Sequence, residues 1–166
     1  VSGNTIQVNQ RKGTATVDVT PSTTVAELTP AQLTDVTAGS CVSVRPAHGN
    51  GSGGAQVTAR NVVIGTGPNG TCTAPQHARE GAVRGTVASV NGNTVVVNVT
   101  DQNGSTSQAN VAIDNTTTYE KRATATPAAI TQGKCLAARG SNDSSGNLQA
   151  TAVTVTPAND GSCGWR

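Results

Sequence analysis

The feature that most constrains this chain is that its sequence is written twice. VSGNTIQV (1–8) returns as VNGNTVVV (90–97), VDVTPSTTV (17–25) as VAIDNTTTY (111–119), and LTPAQLTDVTAGSCVSVRP (28–46) as ATPAAITQGKCLAARG (125–140). AQVTARNVVI (55–64) parallels NLQATAVTVT (147–156), and PNGTC and NDGSC close the two copies at Cys72 and Cys163. Matched segments in one order read as a tandem duplication. The expected organisation is a first β-barrel repeat over 1–72, a linker over 73–81 with a proline and the charged pair Arg79-Glu80, and a second β-barrel repeat over 82–166.

Each copy then reads as strands. In the second, Val83, Gly85 and Val87 alternate, Asn91-Gly92 makes a turn, and 94–99 forms a second strand. Ala109, Val111 and Ile113 alternate in a third. Thr126-Pro127 has the form of an N-cap followed by proline at the first helical position, opening a short helix that ends near Gly133. Thr29-Pro30 and Gly39 bracket the equivalent helix in the first copy. A fourth strand is expected from Cys135 to about Arg139 and a fifth from Leu148 to Val155. Five strands with a short helix between the third and fourth is the element order of an OB-type barrel. The predicted fold class is therefore all-β: two tandem five-stranded OB-like small barrels, each with that short helix and one intradomain disulfide. A generic β-sandwich or open meander built from the same strands is the alternative.

Composition fits this reading. The chain holds no Phe, no Met, one Trp and one Tyr, so its core must be built from Val, Ile, Leu and Ala. β-Branched residues suit pleated strands, but each buries less area than an aromatic. Charged residues are 12% and the net charge is +2, too little to argue for nucleic acid or an anionic membrane. No apolar run approaches a membrane span and no signal peptide is read, so the chain is expected to be a mature chain or a fragment, without direct membrane insertion.

The run GTVASVNGNTVVV, then VAIDNTTTY, ITQGKCLAARG and GNLQATAVTV resembles a bacterial family of domains of unknown function. Its members are small OB-like β-barrels, often in tandem, on secreted or lipid-anchored envelope proteins, notably of actinobacteria. The resemblance covers nearly all of the second copy and most of the first. It implies a fold and a compartment, and it supplies no catalytic residue. Where its pattern has Gly before a bulky β-branched residue, this chain has Ser40-Cys41 and Lys134-Cys135.

Four cysteines allow three pairings. Cys41 and Cys135 each open the fourth strand, and Cys72 and Cys163 each follow the fifth. An antiparallel hairpin brings the start of one strand beside the end of the next, so Cys41 should pair with Cys72 and Cys135 with Cys163. Such disulfides belong outside the reducing cytosol, at the cell surface or in the secreted compartment. A zinc site is the rival reading, but the thiols lack Cys-x-x-Cys spacing, and His48 and His77 fall in turn and linker contexts.

No Gly-x-Ser-x-Gly elbow, His-Glu-x-x-His or P-loop occurs, and GNGSGG (49–54) reads as a hairpin tip. Asp18 and Asp114, near the ends of the third strands, read as solvated carboxylates rather than cation ligands. The chain is expected to be no enzyme and to need no metal or cofactor. Tyr119 closes the third strand beside Glu120, Lys121 and Arg122, and Trp165 follows Cys163. These two aromatics are the candidate partner contacts, though a Tyr packed over a barrel end is the simpler role.

The first copy begins part-way through its phrase. The second has the run-up AVRGTVAS (82–89), and Val1 stands where that run-up ends. The missing strand is either encoded upstream or supplied by a second copy of the chain through β-augmentation, which propagates head to tail into a fibre. The expected function is a non-enzymatic extracellular or cell-surface structural module, self-associating through Val1. The alternative is a surface-exposed binding module for a glycan, lipid or protein partner.

Overall fold

The computed structural model describes residues 3–10, 12–47, 56–66, 72, 82–100, 103–158 and 163. They are β-structure throughout, joined by turns and two single 3-10 turns. The strands are β1 (Thr5–Gln10), β2 (Gly13–Ala31), β3 (Cys41–Pro46), β4 (Gln56–Ile64) and β5 (Val83–Asn91). They continue with β6 (Thr94–Thr100), β7 (Thr106–Ala112), β8 (Thr118–Ala125), β9 (Cys135–Asn142) and β10 (Leu148–Thr156).

The helices expected between third and fourth strands are not there. In the first copy β2 runs extended through Thr29 and Pro30 to Ala31, and only Leu33–Asp35 coil into a 3-10 turn. Gln32, not Thr29, is its N-cap, and the Gln32 backbone N–H donates to the Asp35 carboxylate at 2.9 Å. In the second copy Thr126 stands at the N-cap position without a side-chain capping bond and Pro127 opens the element, but it is again a 3-10 turn, Pro127–Ala129. The extended segment before each turn carries the chain onward, and the folded units differ from the expected domains for that reason.

Two compact units form, and neither is a repeat. A central unit comprises Pro30–Arg122, and a terminal unit comprises Val1–Thr29 with Ala123–Arg166. The expected boundaries at 72 and 82 thus fall inside the central unit. Each unit takes the early strands of one repeat and the β-hairpin of the other, so the repeats have exchanged their C-terminal hairpins.

In the central unit β5, β6 and β7 form an antiparallel meander from the second repeat. Hairpin β3–β4 from the first repeat closes it. β3 pairs antiparallel with β5 (Cys41↔Thr86 to Val44↔Val83), and β4 pairs parallel with β7 (Gln56↔Asn110 to Thr58↔Ala112). The ring β3-β5-β6-β7-β4 returns to β3 and is a closed five-stranded barrel. Inward-facing Val42, Val44, Val62 and Ile64 from the hairpin meet Val87, Val95, Val97 and Val111 from the meander. The period-2 alternation of valines, visible in the sequence, is what fills this core.

In the terminal unit β1 pairs with β2, β2 pairs parallel with β10, and β10 pairs antiparallel with β9. Its core joins Ile6, Val17, Val19 and Val25 of the first repeat to Ala150, Val153 and Val155 of the second. The β10–β2 register shifts between Ala150 and Ala152, and the β9–β10 register shifts at the same place. This bulge brings Gly140 so close that a Cβ there would overlap the Gln149 carbonyl oxygen.

Candidate functional site

The cysteines lie where the repeat places them. Cys41 bonds Cys72 in the central unit and Cys135 bonds Cys163 in the terminal unit, with Cα separations of 5.1 and 5.4 Å. Each bond joins the two ends of one exchanged hairpin. It staples the hairpin without tying one repeat to the other.

Tyr119 sits in β8, beyond the third strand it was expected to close, and pairs with Val62. Its ring is half-buried against the central core. That burial, with the Asp114 carboxylate adding to it, raises its phenol above the usual tyrosine pKa. Glu120 beside it accepts from Asn61 Nδ2 at 3.2 Å. Val1 and Trp165, the other candidate contacts, lie outside the described residues, as do the hairpin tip 49–54 and the linker 73–81.

The carboxylates are occupied locally. Asp18 accepts from Gln149 Nε2 at 2.7 Å and from Thr5 Oγ1 at 3.0 Å. Asp114 accepts from the Thr116 hydroxyl at 2.6 Å and its N–H at 2.8 Å, and these bonds lower its pKa. Asp143 accepts from the Asn147 and Ser145 N–H groups at 2.9 and 2.8 Å and is lowered in the same way. Among the described residues no three of His, Cys, Asp and Glu gather as a metal site. No helix there is long and apolar enough to cross a membrane.

Two buried hydroxyls were missed by sequence reasoning. Thr23 accepts the Thr20 N–H at 2.9 Å and donates to the Ala150 carbonyl at 2.6 Å. Thr117 repeats this, accepting the Asp114 N–H at 3.0 Å and donating to the Ala59 carbonyl at 2.8 Å. Each threonine ties the end of its own repeat's third strand to the other repeat's fifth strand. The signal was present, since Thr23 and Thr117 hold the same place in the matched segments VDVTPSTTV and VAIDNTTTY.

The two units differ at the place that β5 takes. In the central unit β5 lies between β3 and β6. In the terminal unit the equivalents of β3 and β6 are β9 and β1. Among the described residues β9 pairs only with β10, and β1 only with β2. Side chains on the two open edges are correspondingly less covered. Val42, Val44 and Val97 are 3%, 1% and 0% exposed, whereas their counterparts Leu136, Ala138 and Val8 are only partly buried. Beside this slot, Gly3, Asn4, Ile6, Val19, Pro127 and Ile130 line an apolar cavity of about 140 Å³. That is well below the roughly 300–1,000 Å³ typical of small-molecule sites.

The 27 kDa lipoprotein antigen of Mycobacterium intracellulare is 42% identical to this chain over 184 residues, an alignment taking in 99% of the chain and 70% of the antigen. The chain belongs to the same family as this antigen. A domain of unknown function, DUF5666, matches residues 84–154. That window is one sequence repeat, and its residues divide between the two folded units. No solved structure matches. The two disulfides agree with a compartment outside the reducing cytosol.

Proposed function

We propose that this protein is a non-enzymatic structural module of the bacterial cell surface, a durable β-scaffold rather than a catalyst or a ligand carrier. One observation carries the reading. The buried polar groups Thr23 and Thr117 both serve to lock exchanged hairpins in place, each hydrogen-bonded across the duplication. The small apolar cavity and the locally paired carboxylates support it, because neither offers a place for chemistry. An OB-like pedigree fits as well: the ring order, counted within a repeat, is 1-2-3-5-4-1, parallel only between the third and fifth strands.

The test is location and role in the cell. Antibody labelling and protease shaving of intact cells of the encoding bacterium should reach the protein without permeabilisation. A deletion strain should show altered envelope permeability, complemented by the wild-type chain. Protein reached only after permeabilisation would end this reading. The edges of β1 and β9, which no other strand among the described residues pairs, favour a second reading, head-to-tail assembly through a strand added from another copy. Concentration-dependent oligomers of the native, non-reduced chain in light scattering would support it, and a 16.5 kDa monomer would not.

A further inference from the structure

We infer that the terminal unit is a joint between copies of this chain: its leading piece, ending at Thr29, is completed at high concentration by the trailing piece of a second copy, which starts at Ala123. What the second copy contributes is half of a core. The inference goes beyond the surface-scaffold reading and does not depend on it. It also differs from strand addition at the edges of β1 and β9, because here the partner replaces a segment that the unit already uses.

The terminal unit is assembled from two pieces of chain with the whole central unit, Pro30–Arg122, between them in sequence. Neither disulfide joins the pieces: Cys135–Cys163 lies within the trailing one and Cys41–Cys72 within the central unit. Recognition between the pieces is non-covalent and runs along one seam, the parallel pairing of β2 with β10 from Val17↔Leu148 to Glu27↔Val155. Val17, Val19 and Val25 on one side share a single core with Ala150, Val153 and Val155 on the other. Across the seam Thr23 donates to the Ala150 carbonyl, Gln149 donates to Asp18, and Lys134 pairs with Glu27. The trailing piece of any copy offers each of these contacts identically. A piece without its complement leaves its valines in water, so each piece demands one. The central unit, by contrast, is one continuous stretch with its own core and its own disulfide.

The crossings suit exchange with another copy. β2 runs unbroken from Gly13 to Ala31 and β8 from Thr118 to Ala125, so the chain passes both unit boundaries as extended strand rather than through a turn. Each crossing has a proline close by. Pro30 fixes its own φ and restricts Thr29 to extended backbone, and Thr126, at φ −98° and ψ 164°, is held in the same way before Pro127. A stiff, extended exit serves a piece that closes on its own chain and one that closes on another, and no turn has to open between the two. Mass action then decides. The chain's own trailing piece is present at an effective concentration on the order of 1 mM for a tethered pair, and other copies compete as their concentration approaches it.

The experiment unfolds the full chain in urea without reductant and refolds it at micromolar concentration and at about 1 mM. Mass is read by light scattering and native mass spectrometry. The concentrated sample should contain multiples of 16.5 kDa that persist on dilution, because their release requires the terminal unit to unfold. The dilute sample should be monomeric. Charge exchange then identifies the seam. Glu27 and Lys134 are 29% and 32% exposed, so either can be replaced without disturbing the core. Glu27→Lys and Lys134→Glu each set like charges across the seam within one chain, and a heteromer of the two variants restores opposite charges at both of its seams. Refolded together, the variants should form heteromers in about threefold excess over random mixing, an excess that high salt removes. Monomers at every concentration would overturn the joint, and so would multimers that fall apart at once on dilution. Persistent multimers with random mixing would overturn the β2–β10 seam as the place where copies meet. None of these outcomes bears on whether the protein is found at the cell surface.

Discussion

Cutting the chain between its repeats separates two architectures cleanly. If each repeat folded alone, a single cleavage within 73–81 would release two folded halves. With exchanged hairpins neither half owns a core. The first half contributes Val42, Val44, Val62 and Ile64 to the central unit but leaves Val87, Val97 and Val111 behind, and the terminal unit is divided in the same way. Dissociation of the halves is then the same event as unfolding. For an intact stability of only about 5 kcal/mol, the low end for native domains, the unfolded fraction is on the order of 10⁻⁴. Multiplying by an effective concentration of about 1 mM for a short tether gives a dissociation constant of roughly 0.2 μM or tighter. The disulfides hold neither half to the other, since each lies within one half. A protease site introduced into 73–81, cleaved to completion without reductant, should give two fragments on a denaturing gel. The same sample should run as one species of intact mass on gel filtration at about 10 μM, separating only in urea. Two separate peaks, each retaining β-sheet circular dichroism, would refute the exchanged topology.

Other predictions follow from single groups. Thr23→Val and Thr117→Val each strand a backbone N–H and a carbonyl, and each should lose about 1–3 kcal/mol in urea unfolding; losses near zero would show the clamps are not formed. Gly140→Ala pushes a methyl into the Gln149 carbonyl and should cost about 1–3 kcal/mol, where a surface alanine would be neutral. Asp114 and Asp143 have lowered folded pKa values, so their contribution is present at neutral pH and lost as pH falls through those values, below the usual 3.8. Asp114→Asn with Asp143→Asn should flatten that acid limb of stability. Tyr119, the one tyrosine, should titrate above 10 by its tyrosinate absorbance, and Asp114→Asn should lower the midpoint.

Much of this fold was legible because strands leave a period-2 trace. Val95 and Val97, Val111 and Ile113, and Val153 and Val155 are buried as their alternation implies. The cysteine pairing was legible because duplication turned three possible pairings into one. The exchange was not, because a repeat's strand order is the same whether its hairpin folds back on its own meander or on the other copy's. Only the path between third and fourth strands decides it, and Thr29-Pro30 and Thr126-Pro127 were read alike as helix starts. Pro30 instead lies inside β2, a position a proline tolerates where its missing N–H is not needed by the ladder. Thr23 and Thr117 could be matched to each other in the sequence, but their acceptors, Ala150 and Ala59, could be found only with the topology in hand.

The exchange also gives the weak composition a physical explanation. A valine-and-alanine barrel of this size buries little area per residue, and among the described residues only the half-buried Tyr119 adds an aromatic to it. Folding back within one repeat would leave two such barrels, each able to open alone. Exchange couples them, because unpairing either hairpin removes half the core of one unit and strips it from its partner strands in the other half of the chain. The disulfides sit where that coupling needs them. Each closes a hairpin over a separation of 31 or 28 residues, for which the chain-entropy model gives about 3.5 kcal/mol. A stapled hairpin stays preformed as a unit, so what remains to be specified is only which meander it joins. Thr23 and Thr117 supply part of that choice, since each reads a carbonyl on the fifth strand at the point where it meets the third. The family match over 84–154 accordingly takes in residues of both folded units.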